Sequence, residues 1–242
     1  MRVALVATLL LAGPLHAQTG NFAGTVALSS QLVDRGIALT PVTPILQGAV
    51  NWSSAGGWMA GVSIGTQLRS PDRSEGLAQL GHYWTLSDDW RMQADATYYG
   101  YSGNTRASAY NRAEASVNWM YRDVLSFGLS AITLTGGDDH HPRGAADLDF
   151  HWPLPWHLSL AAGAGITQTL VTSRPPWPGA HHYYDYGYGG VSSYYGYGQL
   201  GLIWAWGPWQ VELQRIATTS NIARQTGSLA AAPWVGTVSW SF

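Results

Sequence analysis

The sequence predicts an all-β fold: a single transmembrane antiparallel β-barrel of about twelve strands, with short periplasmic turns and longer extracellular loops. Three patterns predict it. Segments of about ten residues alternate apolar and polar side chains, tight turns alternate with longer connections, and tryptophans collect beside the tight turns. A soluble barrel or sandwich produces the same alternation, but it does not predict tryptophans beside the tight turns only.

The first segment has the composition of a secretory signal peptide, which we predict over residues 1–17. Arg2 supplies the positive charge, an apolar run follows over residues 3–11, and cleavage is expected after Ala17. Residues 18–242 are predicted to form one outer-membrane β-barrel domain. No later run reaches the roughly eighteen apolar residues of a membrane helix, so a helical anchor is not expected.

The composition excludes several classes of function. Charged residues make up 11% of the 242 residues and the net charge is -2, so the chain has no basic surface for nucleic acid. It contains no cysteine, which rules out thiol chemistry and cysteine-ligated metal. The histidine pairs at 140–141 and 181–182 lack the ordered spacing of metal ligands and are predicted to be loop tips. We expect neither a metal nor another cofactor.

The strand candidates recur from residue 22 to the last residue, with period-two alternation in each. They are residues 22–33, 45–53, 58–68, 77–87, 90–101, 109–121, 124–134, 145–153, 156–170, 194–206, 209–219 and 233–242. Tight turns are predicted at 54–57, 87–89, 122–123, 154–155 and 207–208. Longer loops are predicted at 34–44, 69–76, 102–108, 135–144, 171–193 and 220–232. An even number of strands puts both ends of the barrel on the short-turn side.

Aromatic side chains beside the tight turns are predicted to form a girdle in contact with outer-membrane lipid. The girdle comprises Trp52, Trp58, Trp84, Trp90, Trp119, Trp152, Trp156, Trp206, Trp209, Trp240 and Phe242. The strand at 233–242 is predicted to pair with the strand at 22–33 and so to close the barrel. We expect its terminal aromatic residue, Phe242, to be read by the outer-membrane barrel assembly machinery.

One stretch resembles a known family. Residues 29–40 read Ser-Ser-Gln-Leu-Val-Asp-Arg-Gly-Ile-Ala-Leu-Thr, residues 44–48 read Pro-Ile-Leu-Gln-Gly, and residues 57–61 read Gly-Trp-Met-Ala-Gly. This series is similar to the opening of the TorF-type porin family, a proteobacterial family formerly classed as a domain of unknown function. The resemblance covers residues 21–68 and is general beyond them. It implies an outer-membrane barrel of a Gram-negative bacterium and does not indicate a solute.

The inward parity of the strands holds most of their charges, and it predicts the pore lining. The pore-lining candidates are Arg35, Arg91, Asp95, Arg112, Glu114, Asp147, Asp149 and Glu212. Because acids outnumber bases among them, we predict a narrow passive channel for small polar solutes or ions with weak cation selectivity. A barrel of about twelve strands lies between the filled lumen of eight strands and the open channel of sixteen.

The predicted lumen also contains features whose role the sequence leaves open. Small inward residues, including Gly61, Gly128 and Gly163, predict free space at mid-barrel. Asp95 and Arg112 lie on strands joined by a hairpin, so they either form a lumenal salt bridge or each face water. The Tyr-rich loop at 174–193 either folds inward as a constriction or lies on the surface.

Two other classes of function are compatible with the sequence. The spacing of His157-Leu158-Ser159 would place a base and a nucleophile on one strand face, as in an outer-membrane lipid-acting hydrolase. A non-conducting structural or adhesive barrel would use its loops to bind an outside partner. Arg215 breaks the pattern, because its parity faces lipid. Either a bulge turns it inward or it snorkels to the outer interface.

Overall fold

The computed structural model describes residues 20–103, 108, 110–136, 140–170, 194–219 and 229–242, without the side chains of residues 72, 229 and 230. The predicted signal peptide at 1–17 and the loop at 174–193 lie outside the described residues. The part of the chain that the structure describes includes no helical segment with the length and hydropathy of a membrane span.

Fifteen strands are present in the described residues. They are β1 (Asn21–Ser29), β2 (Val33–Asp34), β3 (Ile37–Ala38), β4 (Ile45–Ser53), β5 (Trp58–Gln67), β6 (Ser70–Thr85), β7 (Trp90–Ser102), β8 (Arg112–Tyr121), β9 (Leu125–Leu134), β10 (Arg143–Leu154), β11 (Leu158–Gln168), β12 (Tyr194–Trp206), β13 (Trp209–Thr218), β14 (Leu229–Ala230) and β15 (Trp234–Ser241). Twelve of them form a closed antiparallel barrel, and β2, β3 and β14 form a separate small sheet. The predicted fold class is therefore confirmed.

The barrel closes where the last strand meets the first. β15 pairs with β1, as the sequence predicted, and Thr25 stands opposite Ser241. The pairing continues one step further, because Gly24 and Phe242 exchange both backbone N–H···O bonds at 2.8 and 2.9 Å. The Phe242 ring lies over Gly24, where an added Cβ would collide with it.

The two faces of the barrel wall differ in chemistry. Along β5, Val62 and Ile64 point outward and are exposed, whereas Ser63 and Gly65 point inward. The same holds around the barrel, and Leu200 on β12 is 55% exposed. Moving a large apolar side chain from water to an apolar phase releases about 2 kcal/mol. An outer face made of such side chains is therefore suited to lipid.

Most of the predicted girdle residues lie exposed on this outer face near the short turns. Trp58, Trp84, Trp90, Trp152, Trp206, Trp209, Trp240 and Phe242 are exposed there, while Trp52 and Trp119 are partly covered. Trp156 departs from the expected position: it lies in a turn with φ 62°, and β11 begins only at Leu158. Its ring is 84% exposed.

The predicted loop at 69–76 is wrong. β5 and β6 are joined by a tight turn, and β6 begins at Ser70, which extends the barrel wall. An irregularity in the β5–β6 pairing between Thr66 and Gln67 accommodates the start of this strand. Ser74 pairs with Ser102 of β7, and their hydroxyl oxygens are 2.7 Å apart. The first residues of β6 are polar because this end of the wall extends beyond the apolar outer face. The sequence therefore predicted a loop there.

Candidate functional site in the barrel lumen

Residues 30–44, which we call the lumenal hairpin, fold into the barrel. The predicted strand at 22–33 is therefore too long: β1 ends at Ser29, and the chain turns inward there. The turn joining β2 to β3 has positive φ at Arg35 (45°) and Gly36 (75°), the backbone of a type I′ turn. β3 also pairs with β14, which ties the hairpin to the end of the chain. The predicted extracellular loop at 34–44 thus lies inside the barrel, in the half opposite the short turns.

Arg35, at the tip of the hairpin, binds acidic groups of the barrel wall. Its Nη2 lies 2.9 Å from Oε1 of Glu114 on β8, 3.3 Å from the Ser130 hydroxyl on β9 and 3.5 Å from Oδ2 of Asp147 on β10. Both Arg35 and Glu114 are 3% exposed. The Asp147 carboxylate also accepts a hydrogen bond from the Tyr197 hydroxyl. Charge-assisted bonds of this kind fix the hairpin to three neighbouring strands.

Arg112 makes the reciprocal connection, from the wall to the hairpin. Its side chain is fully buried, and its Nη2 lies 2.7 Å from Oδ2 of Asp34 on β2. Its guanidinium carbon sits 4.1 Å from the centre of the Tyr99 ring, a cation–π contact. Its Nε is 3.7 Å from Oε2 of Glu114. Arg35 and Arg112 thus lie against three carboxylates, those of Asp34, Glu114 and Asp147.

An apolar core surrounds the ion pairs. It joins Leu32, Ile37 and Leu39 of the hairpin to the inward face of the wall. The wall residues in this core are Ile45, Tyr99, Tyr101, Tyr110, Ile132, Leu134, Ala145, Leu170 and Tyr195. Ile132 is fully buried. The half of the lumen that holds the hairpin is therefore packed in the way that the core of a soluble domain is packed.

Glycines on the inward face allow polar side chains to lie flat on the wall. In the strand register a glycine stands directly opposite a polar residue, and a Cβ at that glycine would press against the polar side chain or its backbone. The pairs are Gly61 with Asn51, Gly128 with Asn118, Gly163 with Asp149, Gly81 with Asp95 and Gly201 with Gln214. The prediction of free space at Gly61, Gly128 and Gly163 is therefore wrong, because neighbouring side chains cover them.

Three of the candidate acids have no cationic partner among the described residues. Asp95 accepts hydrogen bonds from Gln93, Thr97 and Ser116. Asp149 bonds to Gln199, and Glu212 accepts a hydrogen bond from Gln214. Their charges are solvated by amides and hydroxyls, which gives the wall a negative character outside the hairpin cluster.

Two of the predicted arrangements of charge differ in the structure. Asp95 and Arg112 do not form a salt bridge, because Asp95 stands opposite Ser116 whereas Arg112 stands opposite Tyr99. They therefore lie at different heights along the wall. Arg91 points to the short-turn rim, where its Nη1 lies 3.2 Å from Oδ1 of Asp123, with both side chains about half exposed.

The proposed pair of His157 and Ser159 is not formed. His157 lies in the turn before β11 with φ 62°, and its ring stacks on that of Trp206 with the centroids 6.5 Å apart. Trp206 is on the outer face, whereas Ser159 is on the inward parity of β11. The base and the nucleophile are on opposite sides of the wall, which removes the geometry on which the hydrolase alternative rested.

Arg215 snorkels. The register of β13 is regular on both sides, so no bulge turns Arg215 inward. Its guanidinium carbon lies 5.7 Å from the centre of the exposed Trp234 ring, near the end of the strand.

His140 bonds to the Leu134 carbonyl oxygen at 2.9 Å. Among the described residues, no three His, Asp or Glu side chains are grouped in a way that would hold a metal ion.

The sequence prediction missed several residues that build the site. Asp34 and Glu75 were assigned to loops, and Tyr99 was not singled out. An extended period-two pattern through Glu75, Leu77 and Gln79 would have placed Glu75 on the inward face. For the hairpin, the signal was the apolar character of Val33, Ile37 and Leu39, which a solvent-exposed loop does not need.

No family model matches the chain, and no curated protein matches its sequence. Solved structures do match its fold. The KdgM porin has a TM-score of 0.56 at 7% identity, covering 91% of this chain and 98% of the porin. The NanC porin has a TM-score of 0.53 at 12% identity, covering 92% and 99%. A second KdgM structure, in complex with disordered oligogalacturonate, has a TM-score of 0.54 at 8% identity, covering 91% and 97%. At these identities the likeness shows the fold alone. The resemblance to the TorF-type family stays a prediction.

Proposed function

We propose that this chain is an outer-membrane porin, a narrow passive channel for small polar solutes or ions with a weak preference for cations. The observation that carries the proposal is the contrast between the two faces of one closed wall. The outer face is apolar and exposed, and the inner face holds the charges. Such a wall has a use only where lipid lies outside and water or solute lies inside.

The charge of the lumen supports cation preference. Asp95, Asp149 and Glu212 have no cationic partner in the described residues, where they bond to amides and hydroxyls instead. A pore wall of one sign concentrates ions of the opposite sign. The KdgM structure with oligogalacturonate holds a polyanion. The acidic lumen of this chain is unsuited to such a ligand, so we propose a different solute class.

The location and partners follow from the same proposal. The predicted signal peptide at 1–17 would direct export, and the barrel would lie in the outer membrane of a Gram-negative bacterium, with lipid around the aromatic residues of the outer face. The fold shared with the KdgM and NanC porins supports this location.

The reversal potential of refolded protein in a planar bilayer, measured in a KCl gradient, tests the proposed function. We expect currents of small unit size with a reversal potential on the cation-selective side. A clear anion preference would overturn the proposed selectivity.

The packed hairpin favours a second candidate, a non-conducting structural or adhesive barrel. Its supporting observation is the apolar core inside the lumen, with Ile132 fully buried and Ile45 2% exposed. A barrel that never conducts, with or without residues 32–41, would favour this candidate over the channel.

A further inference from the structure

The lumenal hairpin contacts the barrel wall unevenly. Arg35 binds β8, β9 and β10. Gly36 touches β12 and β13 so closely that an added Cβ would collide with Thr218 and lie 3.0 Å from the Cβ of Tyr197. β3 pairs with β14 through Ala38 and Leu229. These contacts hold the hairpin against one side of the lumen.

A crevice remains on the other side, between the hairpin and strands β5, β6 and β7. Its lining from the hairpin side is Leu32, Leu39 and Thr40, and its lining from the wall includes Gln67, Ser74, Glu75 and Ser102. It has a volume of about 20 Å³, room for about one water molecule.

Two charged side chains line this crevice, Arg73 and Glu75. Glu75 points inward from β6, opposite Tyr101 of β7, and its carboxylate bonds to the Tyr101 hydroxyl. Arg112 also lies within electrostatic reach of Glu75, but Arg112 is already paired with Asp34. The inward wall next to Glu75 carries Gly65, where a Cβ would lie 3.7 Å from Oε2 of Glu75. A side chain larger than glycine at that point would narrow the passage.

We propose that small cations pass the lumenal hairpin through this crevice and that Glu75 sets the charge preference there. The inference rests on the proposed channel function. The narrowness of the crevice predicts a small unit current, and its carboxylate replaces part of the hydration of a passing cation. Arg73 opposes Glu75, so the two residues together determine how strong the preference is.

Cysteine modification tests the route, because the chain has no cysteine of its own. Gln67→Cys places a thiol on the inward face of β5, in the lining of the crevice. Thr167→Cys places one on the inward face of β11, almost opposite in the barrel, where the hairpin side of the lumen is packed and Thr167 is 1% exposed. A positively charged methanethiosulfonate reagent is added to planar bilayers from the long-loop side. We expect the current of the Gln67→Cys variant to fall by more than half and that of Thr167→Cys to stay unchanged.

Charge variants test the role of Glu75 in the same bilayers. Glu75→Gln should move the reversal potential toward zero, and Arg73→Gln should move it further to the cation-selective side. Asp88→Asn, which removes one negative charge from an exposed short turn, is the matched control and should leave it unchanged. Wild-type current with Gln67→Cys unaffected by the reagent, or with Glu75→Gln unchanged in selectivity, would overturn the crevice route alone. Absence of current from the wild type and from a variant without residues 32–41 would overturn the channel function itself.

Discussion

Arg35 and Glu114 are 79 positions apart in the chain, yet Nη2 of one lies 2.9 Å from Oε1 of the other inside the barrel. The pair joins the tip of the lumenal hairpin to β8, and both side chains are almost completely buried. Removing one partner of a buried pair leaves the other charge uncompensated, which typically costs about 3–5 kcal/mol. Substituting Arg35 or Glu114 should therefore weaken the attachment of the hairpin to the wall.

Arg35→Met keeps the apolar stem of the side chain and removes its charge. We expect the free energy that holds the hairpin against the wall to fall by about 3 kcal/mol. This is the lower end of the range for a broken buried pair, because Arg112 stays near Glu114. The unit current should rise, and amide exchange over residues 33–38 should quicken. Adding Glu114→Gln should recover part of the protection, since it removes the uncompensated charge. Unchanged current and exchange in the single variant would contradict this role of Arg35.

Gly36→Ala tests the fit of the hairpin tip, with Gly207→Ala as its control. Both glycines have positive φ, 75° and 57°, but only Gly36 is crowded, whereas Gly207 has nothing within 4 Å. The shared backbone strain costs about 1–2 kcal/mol in each. Gly36→Ala should also displace the hairpin from Thr218 and raise the unit current. Equal currents in the two variants would show that the tip is not wedged.

Gly24→Ala tests the seam of the barrel. The new methyl group would collide with the Phe242 ring, and overpacking of this kind costs about 1–3 kcal/mol. Gly48→Ala on the adjacent strand is the matched control, because nothing lies within 4 Å of that position. Urea unfolding in lipid vesicles should show a lower free energy of unfolding for Gly24→Ala only. Combining Gly24→Ala with Phe242→Ala should restore part of the loss; no restoration would place the cause elsewhere.

Deleting Phe242 should lower the amount of barrel inserted in the outer membrane. The residue adds the last backbone bonds of the closing seam, with Gly24, and its ring stacks on Trp240 with centroids 4.9 Å apart. The unit current of each inserted barrel should stay the same, because the ring faces away from the lumen. Surface labelling of cells measures the first quantity and bilayer recording the second. Normal surface levels would count against a role of Phe242 in assembly.

A pH titration tests the link between two short turns. The Arg122 guanidinium donates to Asp89 with Nε 2.6 Å from Oδ1, and this lowers the pKa of Asp89 below its ordinary value. Because the folded-state pKa is the lower one, the pair stabilises the fold above the unfolded-state pKa, and the contribution disappears as the pH falls through the folded-state value. Arg122→Gln should raise the pKa of Asp89, measured by carbon NMR of the carboxylate. An unchanged pKa would show that the two side chains do not pair in solution.

The wall of the barrel follows from the sequence because its rule is local. Alternation with period two assigns each residue to a face, and a slip of one position would expose the polar face to lipid. Strands such as β4 and β12 were therefore predicted with the bounds they have, and closure between β15 and β1 was predicted as well. The extension of β6 was missed because its first residues lie past the apolar face, where the alternation carries no apolar signal.

The lumen follows from the sequence only in part. Parity places Arg112 and Asp95 on the inward face, but only the strand register gives their heights, and these differ. The hairpin was missed for another reason. Alternation continues from β1 through Leu32 and Val33, and a loop between two strands is assigned to the outside unless its burial is known. The burial of Ile37 and Leu39 shows that the segment lies inside the barrel.

The central claim is that ions pass through the barrel lumen beside the lumenal hairpin. Single-channel conductance tests this claim most directly. The comparison is between the wild type and a variant in which residues 32–41 are replaced by a short Gly-Ser linker. We predict a small unit conductance for the wild type and a several-fold larger one for the variant, because a lumen of about twelve strands without its hairpin leaves an open passage. Absence of conductance from both proteins would contradict the claim.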